Sequence, residues 1–231
     1  MQAIIIADIP FEPDFNQLLN PFGIKPGSPK AAEFKQLLLK GESIAKPKVM
    51  YKVVQAEADQ VGVVRLDGYV FESQVLWRNF RNLHRAFPYV ITSGIELHQW
   101  KNSFEDIFTG YIADFISSIA LENTLDIFLE RLKLQYGLGT TSSMNPGSLE
   151  DWPLEAQTSL FSLLGDTENG IGVRLTDSLL MVPRHSVSGI LFETESSFVN
   201  CKLCPRKGCQ NRRSPFDGEL FVEYLTPRST D

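Results

Sequence analysis

Cysteine is scarce in this chain and confined to one place: three in 231 residues, all between Cys201 and Cys209. That is too few and too clustered for a disulfide-stapled secreted scaffold. A cationic excess is missing too. Lys plus Arg is 22 against 28 Asp plus Glu, a formal net charge of -6. No global field draws phosphate backbones, so no nucleic-acid partner is expected. No apolar run approaches the ~20 residues of a membrane span, so no membrane partner is expected. The apolar opening at 3–7 is too short for a signal peptide and lacks a basic flank. A cytoplasmic location is expected. The three histidines, His84, His98 and His185, show no i, i+4 metal spacing. There is no G-x-S-x-G elbow, and Gly170-Ile-Gly172 lacks the third glycine of a dinucleotide fingerprint. Hydrolase and dehydrogenase readings find no support.

What the chain does hold is core material: 43% hydrophobic and 11% aromatic residues, ordinary for a globular protein. Short β-branched runs predict strands at 4–6, 46–54 and 62–66, the last turning at Asp67-Gly68 into 69–71. Helices are predicted at 31–40 and 74–86, the second stopped by Pro88 ahead of a strand at 89–91. After a polar loop at 140–152 come a short helix at 153–164, with Asp151 or Trp152 near its N-cap, and a turn at 165–172. Strands follow at 173–175, 179–182 and 187–192, and a terminal one at 220–225. This order predicts an α+β fold with much antiparallel pairing. No clean linker is visible. The natural divisions are 1–100, 101–200 and a cysteine-containing tail at 201–231, within one continuous domain.

The longest periodic segment spans 104–136 and ends at Gly137 and Gly139. Ile112, Phe115, Ile116 and Ile119 share one side. Leu121, Leu125, Phe128 and Leu132 lie on the opposite one. The helix is therefore expected to bury one face in its first half and another in its second. Glu122 sits at the crossover, with Asp126 and Glu130 beyond it. Two readings stay open: a solvated acidic face, or a carboxylate lining a cleft.

Cys201-Lys-Leu-Cys204-Pro-Arg-Lys-Gly-Cys209 carries the sharpest chemical signal. Thiols at this spacing can wrap one metal centre, with sulfur about 2.3 Å from zinc, or an iron–sulfur cluster. Pro205 and Gly208 favour the turns required. Lys202, Arg206, Lys207, Arg212 and Arg213 would offset a negative metal–thiolate centre. Three ligands leave a fourth position for His185, a carboxylate, solvent, substrate or a partner. An inert reduced loop, or a reversible disulfide with a spare thiol, fits the same residues.

Taken together, the acidic helix, the Asn145-Pro-Gly-Ser148 loop, Thr176-Asp-Ser178-x-x-Met181-x-Pro183 and Ser186-Val-Ser188-Gly189 resemble the reactivation domain of vitamin B12-dependent methionine synthase, over roughly 108–200. The resemblance implies an α+β fold with a central mixed, mostly antiparallel twisted sheet and flanking helices. It implies S-adenosylmethionine as methyl donor for a cobalamin held by a partner, the corrinoid-binding domain of a methionine synthase or related methyltransferase. The cobalamin is reduced by a donor such as flavodoxin or ferredoxin. Carried over by position, Glu122, Asn145, Gly147, Ser148 and Phe198 would line the ligand site. Ser143 and Ser148 stand where the family has arginine and tyrosine. The cysteine tail resembles those of stand-alone relatives. It implies Cys201, Cys204 and Cys209 as ligands of an iron–sulfur cluster or zinc. The alternative is a metal-binding electron-transfer protein for a corrinoid partner that no longer takes S-adenosylmethionine.

Overall fold

The computed structural model describes residues 2–195, 199–209 and 212–225. In chain order these form β1 (Ile4–Ile6), α1 (Phe15–Leu19), α2 (Pro29–Ile44), β2 (Lys48–Tyr51), β3 (Val54–Glu57), β4 (Val63–Leu66) and β5 (Tyr69–Glu72). Then come α3 (Gln74–Phe80), β6 (Arg85–Thr92), α4 (Ile95–Asn102), α5 (Ile107–Tyr136), β7 (Thr141–Met144), α6 (Ala156–Leu164) and α7 (Thr167–Ile171). The chain finishes with β8 (Arg174–Leu175), β9 (Met181–Val182), β10 (Ser186–Glu193) and α8 (Gly218–Leu225). The architecture is the expected α+β one, and every strand pair among the described residues is antiparallel.

Strand β6 is the axis of the sheet. One edge pairs with β10, from Ser186↔Thr92 to Leu191↔Phe87. The other pairs first with β2 and then with β3. Elements from the first hundred residues and from the second hundred thus share one sheet. Pro88 lies inside β6, where the sequence predicted a helix running to 86. A proline is tolerated there because its carbonyl accepts the Lys52 N–H at 3.0 Å. Its nitrogen, pointing to the same side, faces the break between β2 and β3, so no ladder donor is lost. Helix α3 therefore ends at Phe80, six residues short of expectation.

The sheet is covered on both faces. Phe87, Tyr89 and Ile91 of β6 join Tyr51 and Leu191 in packing beneath Phe128 and Leu132 of α5. On the opposite face, Val90 and Met50 meet α6 and α7 through Phe161, Leu164 and Ile171. Helix α5 starts at Asp106, whose carboxylate accepts the Thr109 N–H at 2.7 Å, and ends at Gly137 in the left-handed region. Its fully buried line is Ile112, Ile116, Ala120, Phe128 and Leu132, with buried Thr124 in the same i+4 row. Each four-residue step winds about 40° around the helix. The first half therefore packs on α2 and α4, and the second on the sheet. The two-faced helix expected from the sequence is what forms.

Three other segments differ from expectation. Residues 220–225 form a helix, not a strand: Asp217 caps α8 through the Leu220 N–H at 3.0 Å. Leu220, Phe221, Tyr224 and Leu225 then lie on one helical face against the core. The polar loop at 140–152 contains β7, which pairs with β10 despite its polar residues. The predicted turn at 165–172 holds the short α7. Asp151 does not cap α6. Its carboxylate instead accepts from the Ser73 hydroxyl and from the N–H groups of Gln74 at 3.1 Å and Val75 at 2.9 Å, at the start of α3. Among the described residues, no helix is long and apolar enough to cross a membrane.

Phe128 ties α5 to the sheet, its ring 5.4 Å from that of Tyr51 and 5.5 Å from that of Tyr89. Phe128→Ala is expected to lower unfolding free energy by about 3–5 kcal/mol, measured by urea denaturation. A loss below ~1 kcal/mol would mean that α5 is not held here.

Candidate functional site

The site begins with a turn. Asn145-Pro146-Gly147-Ser148 has proline at the second position, Gly147 at φ 78° and a Ser148 N–H to Asn145 carbonyl bond of 3.1 Å. That is a type II β-turn, in which the third residue needs a positive φ that glycine adopts without strain. The turn follows β7 directly, so β10 fixes its position. Asn145 then folds back over β10: its Nδ2 donates to the Tyr89 hydroxyl at 3.1 Å and to the Ser188 carbonyl at 2.7 Å.

Gly189 makes that fold-back possible. A Cβ there would lie 2.6 Å from Asn145 Nδ2, 2.7 Å from the Met144 carbonyl oxygen and 2.7 Å from the Tyr89 hydroxyl. The neighbouring Ser188 hydroxyl donates to Gln157 Oε1 at 2.8 Å, and Gln157 Nε2 donates to the Leu179 carbonyl at 2.7 Å. Ser188 and Gln157 are both buried. The Ser186-Val-Ser188-Gly189 run thus clasps the turn on one face of β10 and α6 on the other. Thr176-Asp-Ser178 forms the tight end of the β8–β9 hairpin, where the Thr176 hydroxyl accepts the Leu180 N–H at 3.1 Å. That hairpin borders a separate hollow.

Above the clasp lies a cavity of about 570 Å³. Its floor is Tyr89, Ser143, Asn145, Val187 and Leu191, and one wall is Leu125 and Leu129 of α5. The cysteine loop closes it with Cys201, Cys204, Cys209, Arg206 and Arg213. Burial pushes the Tyr89 phenol up from its ordinary pKa, while hydrogen bonds with Ser143 and Asn145 and the Arg213 charge pull it the other way.

Arg212 holds the cysteine loop in shape. Its guanidinium donates to the carbonyls of Cys201 at 3.0 Å, Cys204 at 2.9 Å and Ser214 at 3.2 Å, and to that of Arg206. One side chain thereby satisfies four backbone acceptors in a segment whose described regular structure is a single 3-10 turn at Asn200–Lys202. The Arg213 N–H points at Cys201 Sγ, 3.4 Å away.

Six of the eight candidate ligand and metal residues meet at this cavity: Asn145, Gly147, Ser148, Cys201, Cys204 and Cys209. Glu122 does not line it. It is exposed on α5, one turn before Leu125. Phe198 lies outside the described residues. The three thiols are free and half-buried. Among the described residues no three His, Cys, Asp or Glu side chains gather closely enough to hold a metal ion. His185, considered as a fourth ligand, is engaged by Asp114 of α5 at 2.9 Å. Tyr89 and Gln157 escaped the sequence reading, and Arg212 was read only as one charge beside the thiols, not as the donor to the loop carbonyls. A lone tyrosine in an apolar strand, a glutamine in an amphipathic helix and one arginine among five cations carry no local signature of their roles.

The family described as vitamin B12 dependent methionine synthase, activation domain, matches residues 151–210. No curated protein matches. Among solved structures, the crystal structure of the MetH reactivation domain bound to AdoHcy is similar, with a TM-score of 0.63 and 15% sequence identity. The likeness covers 86% of this chain and 81% of that one, a share that includes much of residues 1–100. The chain therefore has the reactivation-domain fold, and the resemblance read from its motifs is borne out.

Gly189→Ala is expected to cost about 1–3 kcal/mol by overpacking against backbone and a buried phenol. It should also displace Asn145, so the Tyr89 ring environment should change in near-ultraviolet circular dichroism. An alanine variant with unchanged stability and spectrum would remove the clasp.

Proposed function

We propose that this chain is a reactivation module that seats S-adenosylmethionine in the cavity between α5, the β6–β10–β7 floor and the cysteine loop, for use by a corrinoid-bearing partner. The observation that carries the reading is the meeting of the Asn145–Ser148 turn and the β10 clasp at one small-molecule-sized cavity, within a fold shared with a domain solved bound to AdoHcy. Its volume of about 570 Å³ falls within the roughly 300–1,000 Å³ of ordinary ligand sites. The lining fits such a ligand: apolar side chains from α5 and β10 for a flat ring system, and hydroxyl and backbone groups at the turn for its polar end.

When bound, S-adenosylmethionine supplies an activated methyl group for transfer to reduced cobalt. This chain's own residues bind and orient. Leu125 and Leu129 press from the helix side, the Tyr89–Asn145 pair sets the depth of the floor, and Gly147 and Ser148 offer backbone close to the ligand. Orientation is the main contribution available, because the acceptor is carried by the partner domain and transfer needs a near-attack geometry. The electron is supplied by a flavodoxin or ferredoxin docking at the basic rim around Lys202 and Lys207.

A second reading is favoured by the three thiols opening on the same cavity, with a backbone N–H already aimed at Cys201 Sγ. In it the loop holds zinc or an iron–sulfur cluster and passes electrons to the corrinoid partner. The described residues do not gather the sulfurs round one ion, so this needs the loop to close further.

Titration calorimetry with S-adenosylhomocysteine tests the first reading. The parent should bind, and Leu125→Arg, which puts a charge in the apolar wall, should weaken binding at least ~10-fold. No heat at millimolar ligand would remove S-adenosylmethionine from the proposal. Iron, sulfide and zinc analysis of anaerobically prepared protein tests the second. About one centre per chain, lost in Cys201→Ser, supports it; metal-free protein excludes it.

A further inference from the structure

Three arginines border the cysteine loop, and they are not equivalent. Arg212 spends its guanidinium on four carbonyls of the loop itself. Arg206 and Arg213 are exposed and line the cavity. Among the described residues neither guanidinium pairs with a carboxylate or donates a hydrogen bond. The described lining of the cavity contains no Asp or Glu at all, although the whole chain carries a net charge of -6. Unpaired guanidinium groups beside a floor of phenol, hydroxyl and amide make a local positive field inside a partly desolvated space, where charge interactions are stronger than in bulk water.

We infer that the cavity is an anion-selective ligand site, in which Arg213, seconded by Arg206, grips a carboxylate or phosphate group of an amphipathic small molecule whose apolar part lies against Leu125, Leu129 and Leu191. The inference deepens the ligand seat proposed above and rests on that reading of the cavity. Arg213 takes first place because Arg206 also faces an adjoining hollow that contains Glu150 and Asp151. Arginine suits the task because its planar fork meets carboxylate and phosphate with two parallel hydrogen bonds. The cation that selects the ligand is thus supplied by the cysteine-bearing loop and not by the sheet, where position 143 is a serine.

The three thiols serve as built-in reporters. The full chain is reacted with dithiobis(nitrobenzoate), a dianion, and with neutral dithiodipyridine. The ratio of the two rates on the same thiols cancels their ionisation. The anionic reagent should be favoured in the parent. The preference should fall roughly tenfold in Arg213→Gln, further with Arg206→Gln added, and return in Arg213→Lys. Acetate and phosphate, added at matched ionic strength, show which anion competes better. A ratio unchanged by both glutamine substitutions overturns the inference. A ratio that falls, with no slowing of either reagent by S-adenosylhomocysteine, keeps the anion site and removes the ligand proposed for it.

Discussion

The amide of Asn145 reaches over β10 to the Tyr89 hydroxyl and the Ser188 carbonyl through space that any side chain at position 189 would fill. Much else hangs on that contact. It fixes the turn after β7 relative to the central strand, and it buries a phenol with its hydroxyl satisfied, as a polar group in an apolar sheet face requires. It also sets how deep the cavity floor lies below α5. On the far side of the same strand, Ser188 and Gln157 repeat the device, linking β10 to α6 and the β8–β9 hairpin. A strand of eight residues thereby positions both layers of the domain by its side chains as well as its ladder.

The cysteine loop is held by different means. Among the described residues of 199–217 the regular structure is one short 3-10 turn at Asn200–Lys202, and the loop carbonyls are collected by one guanidinium. Leu203 plugs into the core from below. The packed amphipathic face of α8 ties the following residues to α3. The loop closes the cavity with its half-buried thiols, and two exposed arginines border the opening. The described lining of this cavity holds Arg206 and Arg213 and no carboxylate, in a chain whose formal net charge is -6.

The elements most legible from the residues were those with local punctuation. Gly137 marks the end of α5, Asp67-Gly68 marks the β4–β5 hairpin, and Pro146-Gly147 marks its turn. The drift of apolar positions along α5 foretold its two packing faces, because an i+4 row winds around a helix of thirty residues. Misreadings came where tertiary pairing overrides local preference. Pro88 reads as a breaker but sits opposite a gap in the neighbouring strands. Thr141–Met144 reads as loop but completes the ladder beside β10. Leu220–Leu225 is too short an apolar run for its period to separate strand from helix. Within the site, the turn and the thiols could be read from sequence. The clasp could not, because Tyr89, Asn145 and Ser188 meet through sheet register and Gln157 reaches Ser188 from α6.

The decisive measurement is a crystal structure of the chain grown with S-adenosylhomocysteine. Ligand density is expected between Leu125 and Leu129 on one side and Ser143 to Ser148 on the other, with Arg213 turned toward its carboxylate. Density in the hollow beside Leu179–Val182, or at any other place while the cavity over Gly189 stays filled only by solvent, would contradict the assignment of this site.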